Sequence, residues 1–254
     1  MTAELILLCI AAMAAGFIDA IVGGGGLVQT PAALILLPQY PVATVIGTLK
    51  IPAFTGTSFA AMQYAKKVTI HYRQLGVMTG IAFVAAFFGS RLLTVISNQF
   101  MKPLLLVVLI LVAVYTYTNK SFGNHTAKAH TQKQQLIYAV LISLIIGFYD
   151  GFIGPGAGSF LVLSFISFLG FDFLKASAHA KFVNLATNLG SIVFFVWSGK
   201  IIYSIAIPMA VCNGIGGLLG ARLAIHKGNS FIRIFFLVIV AGTIIRFAYD
   251  VFLK

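Results

Sequence analysis

Two lysines, Lys50 and Lys181, lie inside apolar stretches of the sequence, 131 positions apart. An ammonium group within a bilayer costs at least about 2.5 kcal/mol, so such a lysine is usually retained for a function. Two lysines that face one cavity would favour an anionic substrate. The alternative is that each lysine pairs with the acid of its own half, Lys50 with Asp19 and Lys181 with Asp150, because buried charges are generally paired. Both interpretations can hold together, and the lysine charges would then be cancelled.

Glycine-rich stretches offer a second way to bind an anion. The sequence GFIDAIVGGGGL begins at Gly16, and GFYDGFIGPGAG begins at Gly147, again 131 positions later. If both are turns between helices, the segments that start near Leu27 and Ser159 point free N–H groups and positive dipole ends at the interior. Glycine has no Cβ, so a ligand can approach its backbone closely and a positive φ costs it little free energy. We therefore expect the substrate to contact the turn glycines Gly23, Gly24, Gly25, Gly26, Gly154, Gly156 and Gly158, unless these glycines only pack helices.

Amide and hydroxyl side chains follow the lysines at helical spacing. Asn184 lies three residues after Lys181 and Asn188 four residues further, so all three share one helix face. Thr57 lies at the position after Lys50 that corresponds to Asn188. We expect Thr57, Asn184 and Asn188 to donate hydrogen bonds to the substrate, unless the Thr57 hydroxyl bonds back to its own helix.

The intramembrane acids and one histidine are candidates for coupling or gating. Asp19 and Asp150 lie in corresponding positions of the two glycine-rich stretches. His179 has a reference pKa near 6.5, so it could carry a coupling proton. The alternative for His179 is a helix-end residue at the membrane interface. We expect no catalytic residue and no cofactor. We also expect no metal site, because His125 and His130 lie among lysines without acids or cysteines.

The composition is that of a membrane protein. Of the 254 residues, 60% are hydrophobic and only 9% are charged, with a mean hydropathy of +1.02, whereas soluble domains carry about 25% charged residues. Apolar runs of roughly 20 residues, enough to cross a bilayer as helices, recur along the chain. The net charge is +12, and the basic residues that produce it lie singly in short loops. This distribution indicates membrane topology and not a nucleic-acid partner.

The apolar segments predict an all-α polytopic membrane protein with an internal repeat. In the first half, residues 1–118, they cover residues 5–22, 27–37, 48–64, 75–96 and 103–118. A polar linker, residues 119–135, follows, and the second half, residues 136–254, repeats the pattern at 136–153, 159–170, 178–197, 203–225 and 231–253. The second segment of each half is too short to span, so the first two segments form a broken or re-entrant element around the glycine turn.

Basic residues predict that the second half is inverted relative to the first. Each half crosses the membrane an odd net number of times, so the second half must be inverted relative to the first. The positions of the basic residues test this inversion. One side would carry Lys66, Lys67, Arg73, Lys120, Lys128, Lys133, Lys175, Arg222, Lys227 and Arg233, and the other Arg91, Lys102, Lys200, Arg246 and Lys254. This bias predicts a cytoplasmic linker and termini on the outer side. Inverted repeats with broken helices are typical of secondary transporters that work by alternating access.

The motifs together resemble those of a known family. The sequences AAGFIDAIVGGGG, GFYDGFIGPGAGS, TLKIPAFTGT and HAKFVNLATNLGS, with the closing GSRL and GARL, resemble the TauE/SafE family of sulfite exporters, also called the toluene sulfonate uptake permease family. The resemblance implies a bacterial inner-membrane transporter that exports small sulfur-containing anions, either sulfite or organosulfonates. The partners implied are the anion, the lipid bilayer and a coupling ion, H⁺ or Na⁺. A homodimer is left open.

Two other functions are compatible with parts of the sequence. An anion channel would also need buried positive charge, but no charge ring or carbonyl filter can be identified in one chain. The two intramembrane acids superficially resemble those of intramembrane aspartyl proteases, in which two carboxyls share a proton at about 3 Å. The Gly-x-Gly-Asp sequence of those enzymes is absent around Asp19 and Asp150. We therefore expect a transporter and not an enzyme.

Overall fold

The computed structural model describes residues 2–70, 72–97, 99–100, 107 and 131–252. Within these residues all regular secondary structure is helical: α1 (Thr2–Val22), α2 (Gly26–Leu36), α3 (Val42–Ala65), α4 (Tyr72–Val95), α5 (Gln132–Phe152), α6 (Ala157–Leu169), α7 (Phe173–Trp197) and α8 (Tyr203–Phe252). Five stretches are long and apolar enough to cross a membrane, namely Ala3–Val22, Tyr72–Val95, Gln134–Phe152, Phe173–Trp197 and Tyr203–Gly228. The predicted all-α membrane fold is confirmed.

The second helix of each half is short, as predicted. Helix α2 has 11 residues and α6 has 13. At 1.5 Å per residue, each covers roughly half to two-thirds of a hydrocarbon core near 30 Å thick. Each follows a longer helix after a break of three or four residues that contains the turn glycines. The chain therefore enters the protein on a long helix and continues, after the turn, on a short one.

Helices α3 and α7 begin earlier than the apolar pattern predicted. Helix α3 starts at Val42, not at residue 48, and α7 starts at Phe173, not at residue 178. The first turn of α7 is partly polar and is capped by Asp172, which accepts a hydrogen bond from the Lys175 amide at 2.9 Å. Early in α3, Gly47 packs against the ring of Phe195. Capping and close packing extend both helices beyond their apolar runs.

The last two predicted segments both lie in α8, which is interrupted at Gly228. Residues 203–225 and 231–253 were predicted as separate helices. Helix α8 covers the first segment and the second as far as Phe252, with non-helical angles at Gly228 (φ 73°, ψ −165°). The predicted segment 103–118 and the linker 119–135 lie outside the described residues, apart from Val107 and the residues from Thr131 onward. There, Thr131 and Gln134 form a reciprocal cap for α5.

The helices of the two halves pack mainly against each other. Helix α1 packs on α8 and α5 on α4, while α3 packs on α8 and α7 on α4. A shift of 131 positions relates the contact of α1 with α8 to that of α5 with α4. The same shift relates the contact of α3 with α8 to that of α7 with α4. The backbone approaches correspond as well, because Gly220 abuts Phe17 and Gly89 abuts Phe148. Opposite orientation of the halves in the membrane stays a prediction.

Small residues at these crossings are therefore required for stability. We expect Gly220→Ala to lower the free energy of unfolding by about 1–3 kcal/mol, the usual cost of overpacking, because the added Cβ would lie 3.0 Å from the Phe17 Cα. The matched control is Gly80→Ala, where nothing lies within 4 Å. Thermal unfolding in detergent micelles measures both variants. A Gly220→Ala variant that melts no lower than Gly80→Ala would contradict the close packing of α1 on α8.

Candidate functional site

A small cavity of about 60 Å³ lies where the two glycine turns meet. Its walls come from both halves of the chain and include α1, α2, α3, α5, α6, α7 and α8. Most of the residues that the sequence singled out line it, namely Asp19, Gly23, Gly25, Gly26, Lys50, Thr57, Asp150, Gly154, Gly156, Gly158, Asn184 and Asn188. Three others, Gly24, His179 and Lys181, are not among the wall residues.

One wall contains a buried ion pair between α3 and α5. The Lys50 Nζ lies 2.9 Å from Asp150 Oδ1 and donates a further hydrogen bond to the Asp150 carbonyl oxygen at 2.6 Å. Both side chains are about 95% buried. The second carboxylate oxygen of Asp150 accepts a hydrogen bond from the Thr187 hydroxyl. These contacts satisfy both charges, as a buried pair requires.

A second ion pair joins α7 to α1. The Lys181 Nζ lies 3.0 Å from Asp19 Oδ2 and also donates to the Asp19 carbonyl oxygen. The Thr57 hydroxyl is 3.5 Å from the same carboxylate oxygen. Lys181 is only 1% exposed, whereas the Asp19 side chain is 19% exposed. Lys181 therefore lies behind Asp19, and the carboxylate is the group of this pair that reaches the cavity.

The alternative in which each lysine pairs with the acid of its own half is wrong. Both pairs join one half to the other, Lys50 with Asp150 and Lys181 with Asp19. The reason is that each acid, with its own backbone carbonyl group, lies against the lysine helix of the other half. Repeat spacing relates equivalent residues, but it does not say which acid each lysine meets.

The two glycine turns contact each other through their backbones. Gly23 has a φ of 80°, and its carbonyl oxygen accepts a hydrogen bond from the Ser159 amide at 3.0 Å. The Ser159 hydroxyl donates to the Val22 carbonyl oxygen at the same distance. In the second turn, Gly154 and Gly156 have φ values of 92° and 82°. A side chain on Gly23 would collide with the Gly158 backbone, so glycine is needed for this contact.

The free amide groups near Leu27 and Ser159 belong to the turn glycines. The amides of Leu27 and Ser159 donate to the carbonyl oxygens of Gly24 and Gly23. Within the described part of the chain, the amides of four cavity-lining glycines, Gly25, Gly26, Gly156 and Gly158, donate to no other backbone group. Helices α2 and α6 begin at these turns, so their positive dipole ends border the cavity.

Four carboxamide side chains add polarity, and sequence reasoning missed two of them. Asn184 and Asn188 lie on α7, where the Asn188 Nδ2 donates to the Asn184 carbonyl oxygen at 2.9 Å. Gln29 on α2 and Asn213 on α8 also line the cavity, and the Asn213 Nδ2 donates to Gln29 Oε1 at 3.0 Å. An amide side chain inside an apolar helix was the available signal for both.

His179 and Gly24 lie apart from the cavity. The His179 Nδ1 is 2.8 Å from the Lys175 carbonyl oxygen, and its ring centroid is 4.8 Å from that of Phe171. The side chain is 2% exposed. Because α7 already begins at Phe173, the alternative of a helix-end position for His179 is wrong. A side chain on Gly24 would meet Ser159 Oγ at 3.5 Å.

Comparison with known proteins identifies relatives along almost the whole chain. The family described as "Sulfite exporter TauE/SafE" matches residues 8–247. "Probable membrane transporter protein ORF9" of Sinorhizobium sp. is 32% identical over 243 residues, which are 96% of this chain and 92% of the relative. A probable membrane transporter protein of Haemophilus influenzae is 33% identical over 90% of this chain and 88% of its own length. YfcA of Escherichia coli K12, a probable membrane transporter protein, is 32% identical, with 94% of this chain and 87% of the relative covered. No solved structure matches.

The cross-half pairing can be measured with double-mutant cycles. We expect Lys50→Met to lower the free energy of unfolding by about 3–5 kcal/mol, because it leaves the Asp150 charge buried without its ammonium partner. Asp150→Asn in the same chain should restore most of this loss. Thermal or denaturant unfolding in micelles gives the coupling energy.

The matched control cycle pairs Lys50→Met with Asp19→Asn, the acid of the same half. Its effects should be closer to additive, since Asp19 bonds to Lys181 instead. A larger coupling of Lys50 to Asp19 than to Asp150 would contradict the observed pairing.

Proposed function

Because the chain belongs to the TauE/SafE family of membrane transporters, we propose that it exports a small sulfur-containing anion, sulfite before organosulfonates, across the bacterial inner membrane. The single observation that carries the proposal is the cavity between the halves, where each of two ion pairs is neutral and the glycine amides and the Gln29 carboxamide are left as hydrogen-bond donors. The family consists of transporters, so the protease interpretation is set aside.

The size of the cavity supports sulfite as the first candidate. A cavity that holds one water molecule has a volume of about 10–15 Å³. The observed volume of about 60 Å³ therefore holds roughly four to six atoms of the size of a water oxygen. Sulfite consists of one sulfur and three oxygen atoms and fits this space. An organosulfonate as large as taurine has seven non-hydrogen atoms and would need a wider cavity than the observed one.

The hydrogen-bonding character of the walls supports an oxyanion. The amides of Gly25, Gly156 and Gly158 and the positive ends of α2 and α6 favour negative charge. Thr57, Asn184 and Asn188 add side chains that can donate to anionic oxygens. In this proposal the lysines hold the site together, and they attract the anion only when a carboxylate partner is neutralised or moves away.

The ion pairs are the proposed gates of alternating access. Each ties a helix of one half to a helix of the other, so the halves separate at that point only when the pair breaks. Asp19, whose side chain is 19% exposed, is the more accessible of the two carboxylates and the candidate for a coupling proton. His179, which is outside the walls, has no role in this proposal.

Charge balance supports export as the direction. With both pairs intact the site has no net charge of its own, so a bound anion carries its charge across the membrane. An interior-negative potential drives each negative charge outward by about 2.3 kcal/mol per 100 mV. The predicted topology, with a cytoplasmic linker and periplasmic termini, is part of the same proposal.

Reconstituted liposomes test the proposal directly. We expect the purified protein to release labelled sulfite from loaded liposomes with saturation kinetics, faster when a potassium gradient with valinomycin makes the interior negative. Protein-free liposomes give the background. Release of taurine alone would show that the preference for sulfite is wrong, and release of neither anion would contradict the function. Single-channel currents would favour a channel.

A variant pair connects transport to the site. Lys50→Met should reduce sulfite release about tenfold or more, because it unbalances the charge in the cavity wall. The matched control is Lys66→Ala, which removes an exposed lysine at the end of the same helix and should transport as the wild type does. Equal transport by both variants would remove Lys50 from the mechanism.

A further inference from the structure

Gln29 carries a buried hydrogen-bond donor at the cavity. Its side chain is 4% exposed, and it lines the cavity from α2. The carboxamide oxygen accepts from the Asn213 Nδ2 at 3.0 Å. In the described part of the chain the Gln29 Nε2 has no hydrogen-bond partner. A buried N–H without an acceptor costs free energy, so it needs an explanation in a folded protein.

The direction in which Gln29 presents its NH₂ group is fixed by Asn213. Asn213 lies between Gly16 of α1 and Gly56 of α3, and a side chain at either glycine would collide with its Oδ1. The other end of the Asn213 carboxamide, its NH₂ group, is the end that donates to the Gln29 oxygen. If the Gln29 carboxamide were turned over, two NH₂ groups would face each other. The Gln29 oxygen is therefore occupied, and its NH₂ group is left for a ligand.

This pair occurs once in the chain, whereas the ion pairs and the glycine turns of the site occur twice. The residue 131 positions after Gln29 is Phe160, and the residue 131 positions before Asn213 is Ala82. Phe160 packs its ring against Tyr149, with centroids 5.6 Å apart. The ion pairs and glycine turns are thus common to both halves. The Gln29 and Asn213 pair makes one side of the cavity different from the other.

We propose that the Gln29 Nε2 donates a hydrogen bond to an anionic oxygen of the transported substrate and that Asn213 is its positioning residue. The inference rests on the proposed function and names a side chain that selects for an oxyanion. An amide N–H has no charge, so it binds an anionic oxygen without adding a third positive group to a site whose charges already cancel. A ligand without an acceptor oxygen leaves this donor unsatisfied and is disfavoured.

The test compares Gln29→Met with the wild type in liposomes and in micelles. Methionine has a similar length and no N–H donor. We expect the KM for sulfite to rise about tenfold or more, with kcat changed much less, because a binding contact is lost. The rise in melting temperature that sulfite causes should also shrink. Without sulfite the variant loses the unpartnered donor but also the acceptor of the Asn213 hydrogen bond, so its melting temperature should stay close to that of the wild type. Gln63→Met, a glutamine on α3 outside the cavity walls, is the control.

Two further variants keep the inference testable if Gln29→Met does not fold. Gln29→Glu keeps the shape and places a carboxylate against the anion, so it should abolish the sulfite-dependent thermal shift. Asn213→Asp cannot donate to the Gln29 oxygen, so it should raise KM as Gln29→Met does. An unchanged KM and thermal shift in these variants, with a wild type that transports sulfite, would overturn the inference and leave the function standing. A wild type that neither binds nor transports sulfite or taurine would overturn the function itself.

Discussion

An ammonium group placed inside a membrane protein must find an anion, and here each one finds it in the opposite half of the chain. Lys50 reaches Asp150, and Lys181 reaches Asp19. Neither half could bury its own lysine satisfactorily without the other, because the partner acid and its backbone carbonyl come from across the interface. The ion pairs thus serve as more than local bonds. They make the association of the halves a condition for removing four charges from contact with lipid.

Glycine provides the geometry that these pairs require. At the turns, positive φ at Gly23, Gly154 and Gly156 lets the chain leave one helix and begin the next within a few residues. At the helix crossings, Gly89 and Gly220 let backbones approach so closely that a methyl group would collide. Packing of this kind resists small displacements, and separation of the halves therefore involves whole helices moving together. Such motion is what alternating access needs.

Several features were predictable from the sequence because they leave a local or periodic signal. The helical class, the short helices after the glycine turns and the break near Gly228 all follow from apolar run length and glycine placement. The starts of α3 and α7 did not follow, since capping by Asp172 and packing of Gly47 are not visible in hydropathy. The lysine partners were not predictable, and the same-half alternative was wrong, because a sequence repeat relates equivalent positions without giving the contacts between halves. Gln29 and Asn213 were missed because each is a single amide whose partner lies on a distant helix.

Duplication explains why the charged groups balance, and its departure from symmetry explains how the site can distinguish a ligand. Two corresponding ion pairs leave the cavity close to neutral, so the proposed anion would be the charge on which the membrane potential acts. A fully symmetric cavity would present the same donors on both sides. The carboxamide pair from α2 and α8 adds a donor on one side of the cavity. Asn184 and Asn188 on α7 correspond in the repeat to Ala53 and Thr57, so these carboxamides are also present in one half alone. The repeated residues thus set the charge of the site, and the unrepeated ones determine which hydrogen bonds the substrate can make.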